Sequence, residues 1–75
     1  MEIQSVLNAF GALSQESRLK VFRLLVQRGP DGMPAGTIAS QLGITPATMS
    51  HHLEQLSQAG LVSSRREGRS IIYSA

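Results

Sequence analysis

The chain has 75 residues, of which 41% are hydrophobic and 16% charged, and its formal net charge is +2. A chain this short supports one domain, over residues 1–75, and leaves little volume for a large enzyme cavity. The absence of cysteine excludes disulfides, thiolate zinc sites and thiol nucleophiles within these residues. Since no apolar run approaches the roughly 18 residues that span a bilayer and no signal peptide is recognisable, we expect a soluble, cytoplasmic protein without membrane partners.

The first part of the sequence predicts two helices. Over residues 2–13, apolar side chains recur at helical spacing and form one stripe: Ile3, Val6, Leu7, Phe10 and Leu13. Core packing is the favoured interpretation of this stripe, and a partner-facing surface is the alternative. Ser14 is a candidate N-cap for the second helix, Glu16 suits its first turn, and Gly29-Pro30 ends it. Its predicted buried face consists of Leu19, Phe22, Leu25 and Val26.

Two further helices are predicted around a tight turn. The first runs from about residue 35 to residue 42 and ends at Gly43, which supplies the positive φ of the turn. The second begins at Thr45-Pro46, because threonine can cap the first free amides and proline loses nothing at the first helical position. Gly60 ends it. The side chains expected to face the core are Ile38, Ala39, Leu42, Met49, Leu53 and Leu56.

The segment after Gly60 predicts a β-hairpin. Residues 61–66 and 69–74 are separated by Glu67-Gly68, and residues 70–73 are rich in strand-forming side chains. The expected fold class is therefore mainly α with a small β-hairpin, in the order of four helices followed by two strands.

The spacing from Ala39 to Met49 is typical of a helix-turn-helix. A small residue at position 39 lets the two helices approach, Gly43 reverses the chain, and Met49 packs back. The N-terminal half of the second helix then projects outward. Because a basic hairpin follows at the right distance, the sequence predicts a winged helix-turn-helix.

The outward side of the last helix and the basic hairpin carry the candidate DNA-binding residues. With about 100° per residue, the inward stripe leaves residues 47, 50, 51, 54 and 55 on the outer side. Their hydroxyl, imidazole and amide groups can bind base edges or phosphate, and arginines near the hairpin turn can reach phosphate or a minor groove. The candidates are Thr45, Ala47, Thr48, Ser50, His51, Gln55, Arg65, Arg66 and Arg69. A solvated helix face and a solvated charge cluster are the alternatives.

Other classes of function are less favoured. His51 and His52 are adjacent, about 100° apart on a helix, whereas a helical metal pair needs a spacing of three or four. His52 flanks the buried stripe and is expected to be structural or to contact phosphate. The chain lacks the groups of an enzyme site: paired carboxylates in a cleft, a thiol or a glycine-rich phosphate loop. The alternative to DNA binding is a winged-helix protein-protein interaction module, which would more often expose aromatic or large aliphatic side chains.

Five segments of the sequence match one known family. They are ALSQESRL at 12–19, IASQLGI at 38–44, TMSHHL at 48–53, AGLV at 59–62 and RREGR at 65–69. Through these segments the whole chain resembles the N-terminal three quarters of the ArsR/SmtB family of metalloregulatory and redox-regulatory repressors. The resemblance implies a homodimer that binds a pseudo-palindromic double-stranded DNA operator, blocks transcription and releases DNA when an inducer binds.

Two family features have no counterpart in these residues. Family dimers usually pair through the first helix and a last helix beyond the wing, and that last helix is absent here. The best-known metal site of the family is a cysteine motif on the third helix, where this sequence has MPAGT at 33–37. The resemblance therefore implies no cofactor or metal within this chain. It leaves a metal, metalloid or other inducer to a longer natural protein.

Overall fold

The computed structural model describes residues 2–75, and four helices make up most of it. The elements in chain order are α1 (Ile3–Leu13), α2 (Glu16–Arg28), β1 (Met33–Pro34), α3 (Ala35–Leu42), α4 (Pro46–Gln58), β2 (Ser63–Glu67) and β3 (Ser70–Ser74). The prediction of a mainly helical fold with a C-terminal hairpin is confirmed, and β1 is an element that the sequence did not predict. No helix within residues 2–75 combines the length and apolarity needed to cross a membrane.

The start of α2 differs from the prediction. Its N-cap is Gln15, whose side-chain oxygen accepts a hydrogen bond of 2.8 Å from the backbone N–H of Arg18. Ser14 is instead the C-cap of α1, and its hydroxyl donates to the Gly11 carbonyl over 2.8 Å. The prediction of Ser14 as the N-cap is wrong because α1 continues to Leu13 and uses the serine in its last turn.

The helix-turn-helix has its predicted bounds. Gly43 adopts a left-handed conformation with φ 66, and its N–H donates to carbonyls of the last turn of α3. Pro46 is the first residue of α4 and Thr45 is the N-cap, as predicted. Within the described part of the chain, however, the Thr45 hydroxyl does not cap a backbone amide but donates to Thr48 Oγ1 over 3.0 Å.

The core lies between α2, α3 and α4. Its largest fully buried side chains are Val21, Leu25, Ile38, Met49, Leu53 and Leu56. The predicted inward faces of α3 and α4 are confirmed, with Leu42 half-buried. On α2 the buried face is rotated: Val21 is fully buried, whereas Leu19 and Val26 are exposed. Apolar residues surround much of α2, so their spacing alone did not define one inward direction.

Three of the five apolar side chains in the α1 stripe face away from the core, whereas Val6 and Leu13 are half-buried. Ile3, Leu7 and Phe10 are 77%, 57% and 68% exposed, while the buried residue of this helix is Ala12. Core packing is therefore wrong for these three side chains. Their exposure agrees with the alternative interpretation, a partner-facing surface.

The three strands form one antiparallel sheet in the order β1-β3-β2. Glu67 pairs with Ser70, so the hairpin turn is Gly68-Arg69 and not Glu67-Gly68 as predicted. On the other edge of β3, Met33 pairs with Tyr73. A two-residue strand that contains a proline has no periodic signal, which explains why β1 escaped prediction. We call residues 63–74 the wing; β1 joins it to the start of α3.

Candidate nucleic-acid interface

The outward side of α4 is exposed as the spacing predicted. Met49, His52, Leu53 and Leu56 are the buried residues of this helix, and they occupy one side of it. The exposed residues of its N-terminal half include Ala47, Thr48, Ser50 and His51, and Thr45 is exposed just before the helix. This surface therefore combines a methyl group, three hydroxyls and an imidazole, groups that can contact base edges and phosphates.

An open groove separates α4 from the wing. Its lining includes Ser50 of α4, Arg69 and Ile71 of the wing, and Gly36 and Thr37 at the start of α3. The fold thus brings Ser50 of α4 and Arg69 of the wing to one groove. Thr37 is exposed here and was missed by the sequence reasoning, although its place in the first turn of the first helix of a helix-turn-helix was a usable signal.

Arg66 and Arg69 are free to bind an anion. Arg66 pairs with Ile71 across the hairpin, which places its side chain on the sheet face that carries Ile71 toward the groove. Arg69 lies in the turn and lines the groove directly. Among residues 2–75, neither guanidinium takes part in a hydrogen bond or salt bridge, so their donors are available to phosphate.

Arg65 has different surroundings from the other two wing arginines. It pairs with the buried Ile72, and thus lies on the opposite face of the hairpin from Arg66. Its Nε donates to Glu67 Oε2, Nη1 donates to the Pro30 carbonyl over 3.3 Å, and Nη2 donates to the Asp31 carbonyl over 2.7 Å. The structure separates Arg65 from the groove and engages it with the α2–β1 loop.

Gln55 is also separated from the groove. It is half-buried and lines a second groove between α4 and α1, together with Leu7, Asn8 and Ala12. We predicted Gln55 on the outer side of α4, but it lies on the side of the helix that borders α1. Gln55 lies five residues after Ser50, which is one full turn plus a further rotation of about 140° around the helix. Its side chain therefore faces α1 and not the wing.

His52 is a buried residue next to this surface. It is 6% exposed, and its Nδ1 is buried without a hydrogen-bond partner among residues 2–75. Burial lowers its pKa below the usual value near 6.5, and the charges of Arg18 and His51 lower it further. The structural interpretation of His52 therefore fits its burial better than phosphate contact. Within the part of the chain that the structure describes, no three histidine or acidic side chains come together as metal ligands.

Similar sequences identify the class of protein. Residues 13–65 match a family described as a helix-turn-helix domain. The transcriptional repressor SdpR of Bacillus subtilis is 43% identical over 67 residues, which cover 89% of this chain and 71% of SdpR. The cadmium resistance transcriptional regulatory protein CadC of Listeria innocua is 38% identical over 69 residues. That match covers 92% of this chain but 56% of CadC, so the chain spans little more than half the length of this relative.

Similar solved structures have the same fold. One is the homodimeric winged helix-turn-helix DNA-binding domain of a possible ArsR-family transcriptional regulator from Mycobacterium bovis, with a TM-score of 0.88 and 33% identity. The match covers 96% of this chain and 64% of that one. An ArsR-like transcriptional regulator from Rhodococcus sp. RHA1 has a TM-score of 0.83 and 32% identity, with coverage of 96% and 65%. These relatives are named as transcription regulators and not as enzymes. With the fold, the matched helix-turn-helix and the identity to SdpR, this chain belongs to the ArsR/SmtB family of winged helix-turn-helix transcriptional regulators.

Proposed function

We propose that this chain is the DNA-binding core of a transcriptional repressor, which binds a double-stranded operator sequence-specifically and is released from it by an inducer. The observation that carries the proposal is the groove that Ser50 and Arg69 share. It places Ser50, from the exposed face of α4, and the unpaired Arg69 in one surface. Arg66 lies on the same hairpin face as Ile71, which also lines the groove. A duplex offers base edges flanked by phosphates, which is the matching arrangement of chemical groups.

In this proposal the N-terminal half of α4 enters the major groove. Ser50 and His51 can exchange hydrogen bonds with base edges, and the methyl group of Ala47 can pack against a thymine methyl. Thr45 and Thr48 lie at the start of the helix, where hydroxyls and free backbone amides suit a phosphate. The side chains of α4 would thus provide the sequence preference.

The wing supplies the contacts that do not depend on sequence. Arg66 and Arg69 extend from the hairpin toward the phosphates or the minor groove beside the major groove that α4 occupies. Each guanidinium that neutralises a phosphate releases condensed counterions, so binding must weaken as salt rises. This dependence separates a DNA-binding surface from a protein-docking surface of the same fold.

We further propose that two copies of the chain pair through the exposed stripe of α1. Ile3, Leu7 and Phe10 form an apolar surface on the exposed side of α1, and the similar Mycobacterium bovis domain is described as homodimeric. A two-fold dimer would present its two α4 helices to major grooves one helical turn apart, about 34 Å, on a pseudo-palindromic operator. The inducer we propose is a metal, metalloid or other small molecule bound by further residues of a longer natural protein.

A titration of isotope-labelled protein with a mixed-sequence duplex at low salt tests DNA binding. We expect backbone amide shifts over residues 36–37, at residue 45, and over residues 47–51 and 66–70. As a control, Arg23→Ala removes one positive charge from an exposed position on α2 outside the groove. This variant should leave the titration unchanged. No shifts at millimolar DNA would overturn the proposal and favour a protein-docking module.

Sedimentation over a range of concentrations tests the dimer. The wild-type chain should show a concentration-dependent increase in mass, and Phe10→Glu should abolish it. Phe10 is 68% exposed, so this variant should keep the fold and its circular dichroism spectrum. Equal self-association of both proteins would exclude the α1 stripe as the interface.

A further inference from the structure

Arg65 connects two parts of the chain that are far apart in sequence. Its Nη1 and Nη2 donate to the carbonyls of Pro30 and Asp31, which lie 35 and 34 residues earlier. The third guanidinium nitrogen, Nε, donates to the carboxylate of Glu67 on the same strand. A planar guanidinium can serve two neighbouring carbonyls and a carboxylate at once, which a lysine ammonium on a flexible stem does with less fixed geometry.

The loop that receives Arg65 is itself held in place. Its next carbonyl, that of Gly32, accepts a hydrogen bond of 3.0 Å from Arg28 Nε. Gly32 also packs so closely on β3 that an added Cβ would lie 2.4 Å from the Tyr73 carbonyl oxygen. Arg28 and the close packing of Gly32 on β3 therefore hold the loop in addition to the two hydrogen bonds from Arg65.

Strand β2 is held by two sets of contacts: its pairing with β3 and the hydrogen bonds from Arg65 to the loop. All five of its residues are exposed, and it lies at the outer edge of the sheet, hydrogen-bonded to β3. Toward the hairpin turn, residues 70 and 71 of β3 pair with β2 alone. Two-stranded ribbons of this kind twist more strongly than wider sheets. Arg65 fixes the middle of β2 to the loop, and therefore fixes the direction in which Arg66 and the turn at Arg69 extend.

We propose that Arg65 is a positioning residue, which sets the wing at a fixed angle to α4, and that it does not contact phosphate. The inference rests on the proposed DNA binding for its functional meaning. Its structural part stands on the contacts of Arg65 alone. Arg66 and Arg69 can neutralise phosphates while α4 occupies the major groove only when the wing is held at the matching angle.

The structural part is tested without DNA. In Arg65→Ala we expect amide shifts at Asp31, Gly32 and Met33, and residual dipolar couplings that report a changed orientation of residues 65–70, the outer part of the wing, relative to α4. The matched control is Arg66→Ala, one residue along the same strand, which should leave the loop amides and the orientation unchanged. Unchanged couplings and loop shifts in Arg65→Ala would overturn the proposal. Arg65 is half-exposed, so the variant should remain folded.

The functional part is tested by the salt dependence of DNA affinity. Losing a phosphate contact makes the negative slope of log K against log salt shallower by about 0.9, which is the change expected for Arg66→Ala. Arg65→Ala should keep the wild-type slope and lose roughly tenfold in affinity, about the effect of one charge-assisted hydrogen bond. Arg65→Lys, which keeps the charge, should lose nearly as much.

The two possible failures can be distinguished. If Arg65→Ala makes the salt slope as shallow as Arg66→Ala does, or if Arg65→Lys keeps the full wild-type affinity, Arg65 is a phosphate contact and the inference is wrong. If the wild-type chain binds no duplex at all, the proposed function fails. The couplings of the free protein then decide whether Arg65 positions the wing.

Discussion

Replacing Gly32 by alanine should strongly destabilise the domain. Gly32 has φ +70, a conformation that costs an alanine about 1–2 kcal/mol. Its new Cβ would lie 2.4 Å from the Tyr73 carbonyl oxygen and 2.9 Å from an Ile72 methyl carbon. The first neighbour is backbone in the central strand of the sheet, so the loop must move away, at a further cost of about 1–3 kcal/mol. We expect the free energy of unfolding to fall by about 2–5 kcal/mol.

Gly43→Ala is the matched control for this prediction. Gly43 has nearly the same conformation, φ +66, but an added Cβ there meets no atom of residues 2–75 within 4 Å. This variant should therefore lose only the conformational part, about 1–2 kcal/mol. Urea unfolding followed by circular dichroism gives both values, provided that the slopes against urea agree. Equal losses in the two variants would refute the close approach of the loop to β3 as the cause.

Three further predictions concern the interface and the buried histidine. Arg66→Ala and Arg69→Ala should each make the negative slope of log K against log salt shallower by about 0.9, and they should weaken binding to all sequences alike. An unchanged slope would contradict the phosphate contacts. His51→Ala should instead reduce the discrimination between operator variants by about 1–3 kcal/mol at one position, measured by competition between duplexes. The lowered pKa of His52 means that the folded state binds fewer protons than the unfolded state near pH 6.5 and below. Its contribution to stability is therefore present above that pH and is lost as the pH falls through the folded pKa, so urea midpoints should decline on acidification. The decline should persist in His51→Gln and shrink in His52→Gln, and midpoints that rise with acid would show that the direction is wrong.

The helix-turn-helix was predictable because each of its features depends on local chemistry. Gly43 and Pro46 mark a turn and a helix start, and Met49, Leu53 and Leu56 repeat at one helical spacing. The stripe of α1 was not predictable in the same way. Its spacing shows that one face of the helix is apolar, but it carries no information on whether the covering surface belongs to the same chain.

The candidate interface was predicted in part for a related reason. Helical rotation placed Ser50 and His51 outward correctly, since it depends only on the buried stripe of α4. The three wing arginines could not be told apart, because alternation along a strand separates Arg65 from Arg66 only when their surroundings are known. The acceptors of Arg65 are backbone carbonyls in a distant loop, and a backbone carbonyl is present at every position of a sequence.

The place of β3 in the sheet has a consequence for synthesis of the protein. β3 follows β1 only after about half the length of the chain, yet it lies between β1 and β2 and pairs with both. While the chain emerges from the ribosome, neither outer strand has a hydrogen-bonding partner until residues 70–74 appear. The helices can form earlier from local contacts, but the fixed loop and the wing must wait for the central strand. A chain stopped before Ser70 would thus expose two unpaired strands and the side of the core on which Tyr73 packs, which makes it a target for chaperones and proteases.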